Sequence, residues 1–208
     1  MAASMIDSAR ESFDPILQRS VELMMIQLDR FERLLEDLLE ISRFDAEVAV
    51  VEAVEFDICN LVAKAIDDLR LVAQEVGVHI EFDRPADSVY IHADIRRIER
   101  ALRNLITNAI DHAEGKPIRV SLRANESAVS IGVRDFGVGL DQESTGRVFD
   151  RFWRADPSRS RLRGGTGLGL SIALEDAHLH HGNIEVFGKL GAGANFVLTI
   201  PRKVSGDI

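Results

Sequence analysis

At 208 residues the chain has room for one large domain, or for a smaller domain with an appendage. A hydrophobic share of 46% beside 28% charged residues supplies a core and makes disorder the exception. The net charge of −9 excludes a general nucleic-acid binder, because phosphate backbones reward clustered Lys and Arg, and the single Cys59 excludes an internal disulfide.

A lone cysteine also suits a reducing, cytoplasmic setting and suggests no thiolate metal site. No apolar run approaches the roughly 20 residues that cross a bilayer. The start, Met1 to Asp7, lacks the basic head and apolar centre of a signal peptide. A soluble fragment with no membrane contact of its own is expected.

In chain order, Asp14-Pro15 predicts a helix start, with the acid as N-cap and proline in the first turn. Leu17, Val21, Met24, Leu28, Phe31, Leu35 and Leu38 then alternate spacings of four and three, which is the seam of helix-to-helix packing. The helix should end near Phe44, about 42 Å from its start at 1.5 Å per residue. Its apolar stripe must be covered, either by the globular part behind it or, the preferred reading, by other helices: a truncated neighbour in residues 1–13 and a second chain. Around Asp45 to Val54 the heptad stops, which marks a boundary.

Beyond it, the patterns predict a strand at 54–57, a helix from Cys59 to about Val76, and strands at 78–82 and 89–92. A helix from Asp94 to Ala113 follows, then a hairpin of strands 118–123 and 128–134 turning through Ala124 to Ser127. A long loop over 138–163 should act as a lid. It precedes a helix at 168–181 and strands at 183–187 and 194–200. Elements mix without strict alternation, so the fold class is α+β, a mixed sheet with helices on one face.

Two glycine clusters bracket that loop, Asp135-Phe136-Gly137-Val138-Gly139 and Gly164-Gly165-Thr166-Gly167-Leu168-Gly169. The second runs into a helix, where backbone N–H groups and the dipole favour phosphate oxygens; a plain surface loop is the other reading. The intervening segment is basic, with Arg147, Arg151, Arg154, Arg159, Arg161 and Arg163. On the Asp94 helix, Ile98, Leu102, Leu105 and Ala109 form a core stripe, while Asn104, Asn108 and Asp111 share the neighbouring one. An amide oxygen there suits magnesium, a hard cation that takes few protein oxygens plus phosphates. His178, His180 and His181 admit either a metal site or a helix-end role.

Taken in order, Asn104-Leu105-Ile106-Thr107-Asn108-Ala109, Asp135-Phe136-Gly137-Val138-Gly139, Phe149-Asp150-Arg151-Phe152-Trp153-Arg154 and Gly165-Thr166-Gly167-Leu168-Gly169-Leu170 resemble the N, G1, F and G2 boxes of bacterial two-component sensor histidine kinases. Residues 38–43 and 151–159 resemble most the actinobacterial MtrB-type branch. The resemblance spans nearly the whole chain and implies a Bergerat-type ATP-binding α/β sandwich preceded by the heptad helix. Residues 1–46 would be part of a dimerisation and phosphotransfer hairpin, 47–53 a linker, 54–203 the catalytic domain and 204–208 a tail.

It further implies a protein histidine kinase acting with ATP and Mg²⁺, and a nucleotide-binding set of Asn104, Asn108, Asp111, His112, Asp135, Gly137, Gly139, Leu140, Arg154, Gly165, Thr166, Gly167, Leu168 and Gly169. In that set Asn108 holds Mg²⁺, Asp135 accepts from the adenine amino group, and Arg154 reaches the γ-phosphate. Asn104 and Arg154 are the catalytic pair. Asn104 stands where hydrolases of the gyrase and Hsp90 kind carry a water-activating glutamate, and an amide cannot act as that base.

Two departures stand out. Asp111-His112 replaces a Lys-Tyr pair common in the family, leaving His112 or lid arginines to supply positive charge. No histidine occurs before His79, so the acceptor histidine is expected outside this chain, which should not phosphorylate itself alone. The family histidine near the last helix is matched to His181 as a helix-end residue. A response regulator is the implied partner, with a homodimer through the heptad helix and a parent protein anchored in the bacterial membrane. A related ATPase, an anti-sigma serine kinase, or a nucleotide-binding module without transfer activity are the alternatives.

Overall fold

Proline at the first helical position and an unbroken heptad produce one continuous helix, α1 (Pro15–Asp45), in which Gln18 N donates to Asp14 O at 2.9 Å. The structure is a computed structural model and describes residues 14–46, 48–154 and 166–203. The chain divides into two compact units between Ala46 and Glu47. Within the first, Leu17, Met24, Leu28, Phe31, Leu35 and Leu38 are all exposed along α1.

In the second unit, β1 (Val54–Asp57) leads directly into α2 (Ile58–Glu75), because Asp57 accepts from Cys59 N at 2.9 Å and so caps the helix. The same carboxylate takes Val89 N at 3.3 Å, which draws in the start of β3 (Tyr90–Ala93). β1 and β3 pair antiparallel, Phe56 opposite Ile91, as a separate two-stranded sheet.

β2 (Ile80–Asp83), β4 (Ile118–Ala124), β5 (Ala128–Asp135), β6 (Asn183–Gly188) and β7 (Ala194–Pro201) form the main sheet in the order β2-β4-β5-β7-β6. Only β2 and β4 run parallel; the other neighbours are antiparallel. Alternation sends Ile118, Val120 and Leu122 inward with Val129, Ile131 and Val133 and with Phe196, Leu198 and Ile200. Asn125 shapes the β4–β5 turn, its side-chain oxygen accepting Ser127 N at 2.9 Å and Ala128 N at 2.8 Å.

Against the inner face lie α2, α3 (Ile95–His112) and α5 (Gly169–Leu179), each through an apolar stripe. On α3 that stripe comprises Ile98, Leu102, Leu105 and Ala109, as their spacing requires. Asp94 starts the helix as N-cap, accepting from Arg96 N at 3.0 Å and Arg97 N at 3.3 Å.

Two differences from the sequence reading have local causes. The segment after Val138 is not loop throughout, since α4 (Gln142–Arg147) forms where Asp141 accepts Ser144 N at 2.6 Å. Six residues are too few to show periodicity. α5 stops at Leu179, and Gly182 N and His181 N bond back to Ala177 O and His178 O at 2.8 and 2.9 Å, a Schellman closure with His181 at φ 56°. His180 beside it is buried: its Nδ1 meets Asp176 O at 2.6 Å and its Nε2 accepts Asp94 N at 3.0 Å. No group of three metal-binding side chains occurs among the described residues.

Candidate nucleotide site

The two asparagines project from α3 beside its core stripe, both half-buried. Asn104 uses its amide to bind α5, Nδ2 donating to Gly169 O at 2.9 Å. One turn further, the Asn108 side chain has no hydrogen-bond partner among the described residues. At the end of the helix the His112 carbonyl accepts Val138 N at 3.3 Å. The side chains of Asp111 and His112 are exposed there. Asn108 therefore lies midway between the contact with the second glycine cluster and the contact with the first.

Gly137 is glycine because nothing larger fits: an added Cβ would lie 1.7 Å from His112 O. At Gly139 the constraint is double, with φ +71° and a Cβ position 2.0 Å from Lys189 O. These approaches seat the Asp135–Gly139 segment between α3 and the β6–β7 turn.

Asp135 is buried at the end of β5. Its Oδ1 accepts Gly137 N at 2.9 Å and its Oδ2 accepts Ala194 N at 3.1 Å, so backbone alone holds the carboxylate in place. Each oxygen retains a second lone pair for a ligand donor. The β6–β7 turn had no place in the sequence reading, although Gly191-Ala192-Gly193 carries the signal. A Cβ on Gly193 would sit 2.1 Å from Asp135 O.

On the other side, Phe149 anchors the arginine-bearing segment by an edge-on contact with Phe196, ring centroids 6.3 Å apart. Phe152 N donates to Gly167 O at 2.9 Å, which brings that segment against the second glycine cluster. Phe152 adopts φ 63°, an uncommon conformation for a bulky residue. Arg154 Nη2 is buried with no partner among the described residues. A buried, unsatisfied guanidinium nitrogen is costly unless a ligand acceptor reaches it.

The second cluster leads into α5 through Leu168, which is fully buried; Thr166 Oγ1 accepts Leu168 N at 3.2 Å. No side chain caps the start of α5, leaving backbone donors of Gly169 and its neighbours at a helix N-terminus. Leu140 turns to the β6 edge, where a Cβ on Gly188 would meet it at 3.0 Å, and borders a surface groove with Lys189 and Leu190. Gly165, with Arg159, Arg161 and Arg163, lies outside the described residues.

The assembled features are a buried fixed carboxylate, a side-chain amide and a buried guanidinium nitrogen that have no partner among the described residues, and an uncapped helix start. They fit a purine triphosphate with a divalent cation: acceptors for a base amino group, an oxygen for the cation and donors for phosphate.

The chain is 52% identical over 201 residues to the sensor histidine kinase MtrB of Mycobacterium tuberculosis, covering 97% of this chain and 35% of that protein. It is 38% identical over 194 residues to the signal transduction histidine-protein kinase AfsQ2 of Streptomyces coelicolor, covering 93% and 35%. The chain thus spans about a third of the length of these curated relatives. Among solved structures, full-length ShkA in complex with AMPPNP superposes with a TM-score of 0.78 at 26% identity, over 91% of this chain and 40% of that one. The histidine kinase ThkA in complex with the response regulator protein TrrA shares the fold, with a TM-score of 0.73 at 22% identity over 98% and 57%. Residues 93–204, which hold every element of the site, match the family model described as histidine kinase-, DNA gyrase B- and HSP90-like ATPase, and the chain belongs to that family.

Proposed function

We propose that this chain is the ATP-binding catalytic portion of a sensor histidine kinase, a protein histidine kinase that passes the γ-phosphoryl group of Mg-ATP to a histidine outside these 208 residues. The observation that carries this reading is the Asn108 side chain, without a partner among the described residues on the α3 turn between the contacts at Gly169 and Gly137. The 52% identity to a named sensor histidine kinase supports the same class.

In this reading Asp135 accepts from the adenine amino group while its two backbone donors hold it rigid. Guanine, which offers a carbonyl there, would meet a carboxylate and be rejected. Magnesium held by the Asn108 amide oxygen supplies charge neutralisation on the triphosphate. The orphaned Arg154 Nη2 and the N–H groups at the start of α5 receive phosphate oxygens. The bond from the γ-phosphorus to the ADP oxygen breaks as a bond to an imidazole nitrogen of the acceptor forms. Positioning and electrostatics do most of this work. Asn104, an amide bonded to Gly169 O, orients α5 and offers no base to activate water, so ATP hydrolysis is slow.

A response regulator receives the phosphoryl group in turn, and the exposed apolar stripe of α1 pairs with a second copy. The parent protein is anchored in a bacterial membrane, and these residues lie on its cytoplasmic side. No helix among the described residues is long and apolar enough to cross a membrane.

Mg-ATP affinity of the unmodified chain, of Asn108→Ala and of Asp135→Asn tests the site. Both variants should lose at least tenfold; equal binding by all three would overturn the assignment. Labelled ATP should phosphorylate a longer chain carrying the upstream helix but not this one. Rapid phosphate release by this chain would instead indicate a hydrolase.

A further inference from the structure

At the far end of α3 from the glycine loops lies a buried charged cluster that the nucleotide reading leaves unused. Asp176 on α5 is fully buried. Arg100 grips it with two bonds, Nε to Oδ2 at 2.8 Å and Nη2 to Oδ1 at 2.7 Å, and Arg97 Nη1 reaches Oδ1 at 3.2 Å. Asp94 balances the second guanidinium, 3.7 Å from Arg97 Nε. Among the described residues, two carboxylates face two guanidiniums here, and buried ions are tolerated where each is paired and hydrogen-bonded.

This cluster also holds the segment that enters the unit. Arg97 Nη2 donates to Val50 O at 3.1 Å, and Glu52 N donates to Asp94 Oδ2 at 3.1 Å. His180 closes the ring between Asp94 N and Asp176 O. Residues 50–52 are therefore strapped to the junction of α3 and α5. These are the two helices that Asn104 and Gly169 join again about two turns away, roughly 10 Å along α3.

Resting on the nucleotide reading above, we propose that Arg97 is a positioning residue, coupling the docked Val50–Glu52 strap to the relative placement of α3 and α5 and hence to nucleotide affinity. A guanidinium fork serves two acceptors at once, Val50 O and Asp176, where an ammonium on a flexible stem cannot hold both in the same geometry. Among the described residues, the hydrogen bonds of the Arg97 side chain go to Val50 and Asp176 and to neither glycine cluster. Its effect travels through two helices that meet both at the Asp176 cluster and at the Asn104–Gly169 bond. By linkage, nucleotide must tighten the strap as much as the strap tightens nucleotide.

The test reads exchange of the Glu52 amide and affinity for the magnesium complex of a non-hydrolysable ATP analogue, in the full chain. Saturating analogue should slow Glu52 exchange in the unmodified protein by about fivefold, the lower end of ordinary couplings. Arg97→Lys, which keeps the charge balance, should weaken analogue binding by a similar factor and abolish the slowing. Arg96→Ala should change neither, because the Arg96–Glu52 pair on the same strap is largely exposed at both ends. A purely structural role for Arg97 would lower the melting temperature without making Glu52 exchange respond to nucleotide. Tight analogue binding by the unmodified protein with unchanged Glu52 exchange would overturn the coupling, with no variant needed. Absence of analogue binding would instead overturn the nucleotide reading, and the coupling with it.

Discussion

The side-chain amide of Asn104 and the backbone carbonyl of Gly169 meet at 2.9 Å, joining α3 to the first residue of α5. The bond needs a donor on residue 104. Asn104→Asp preserves shape but sets a carboxylate against that carbonyl. Stability should fall by about 1–3 kcal/mol, the cost of leaving a partly buried polar group unpaired. Denaturant unfolding measures this, and an unchanged midpoint would show that the two helices are held together elsewhere.

Gly137 tolerates no side chain, since a Cβ would overlap the His112 carbonyl at 1.7 Å. Gly137→Ala must push the 135–139 segment off α3, disturbing Asp135, whose Oδ1 accepts the Gly137 amide. Nucleotide affinity should fall at least tenfold while the far-UV spectrum is retained. Gly146→Ala, where an added Cβ meets nothing within 4 Å, is the control and should bind as the parent does.

His181 occupies the left-handed position of the α5 closure, with φ 56°. Glycine takes that conformation without the Cβ penalty. His181→Gly should therefore raise stability by about 0.5–1 kcal/mol. His180→Gly should do the opposite, because it removes the ring that spans Asp94 N and Asp176 O. Thermal melts of the two variants should move in opposite directions.

Acid should loosen the start of α3. For Asp94, burial pushes the carboxyl up, but N–H groups of Glu52, Arg97 and Arg96 and the Arg97 charge outweigh it, leaving it below its ordinary value of 3.8. Asp57 is lowered in the same way, burial being overcome by bonds from Ser88, Cys59 and Val89. A depressed carboxyl lends stability that is complete above the unfolded value and disappears as pH falls through the folded one. Unfolding free energy should thus be flat near neutrality and drop below about pH 4. Cys59 acts at the other limit: burial, then the Asp57 charge, raises it above its ordinary 9.0, so its contribution is lost in alkali. Asp94→Asn should flatten the acid limb; an unchanged acid limb would exclude this carboxyl as its source.

Much of the fold was legible because each element obeys a local rule. The strand at 54–57 agrees in both limits with the pattern reading, and the α3 stripe of Ile98, Leu102, Leu105 and Ala109 is buried as its spacing requires. The α4 turn escaped, because a helix of six residues depends on the Asp141 cap and shows no period. The separation of β1 and β3 into their own sheet escaped as well. Alternation says which residues face inward but not which strands are neighbours.

The sequence by itself determined the chemical inventory: two amides one turn apart, an acid heading one glycine cluster, and arginines before a second. Spacing along a helix or strand is a local property, so it could be read without a fold. Only the tertiary structure decided that the β6–β7 turn supplies the Ala194 donor that holds Asp135. It alone showed that Arg154 Nη2 is buried without a partner among the described residues and that His180 is a buried ring. Those facts depend on backbone groups meeting across dozens of residues, a relation set by the packing of sheet against helices and carried by no stretch of chain alone.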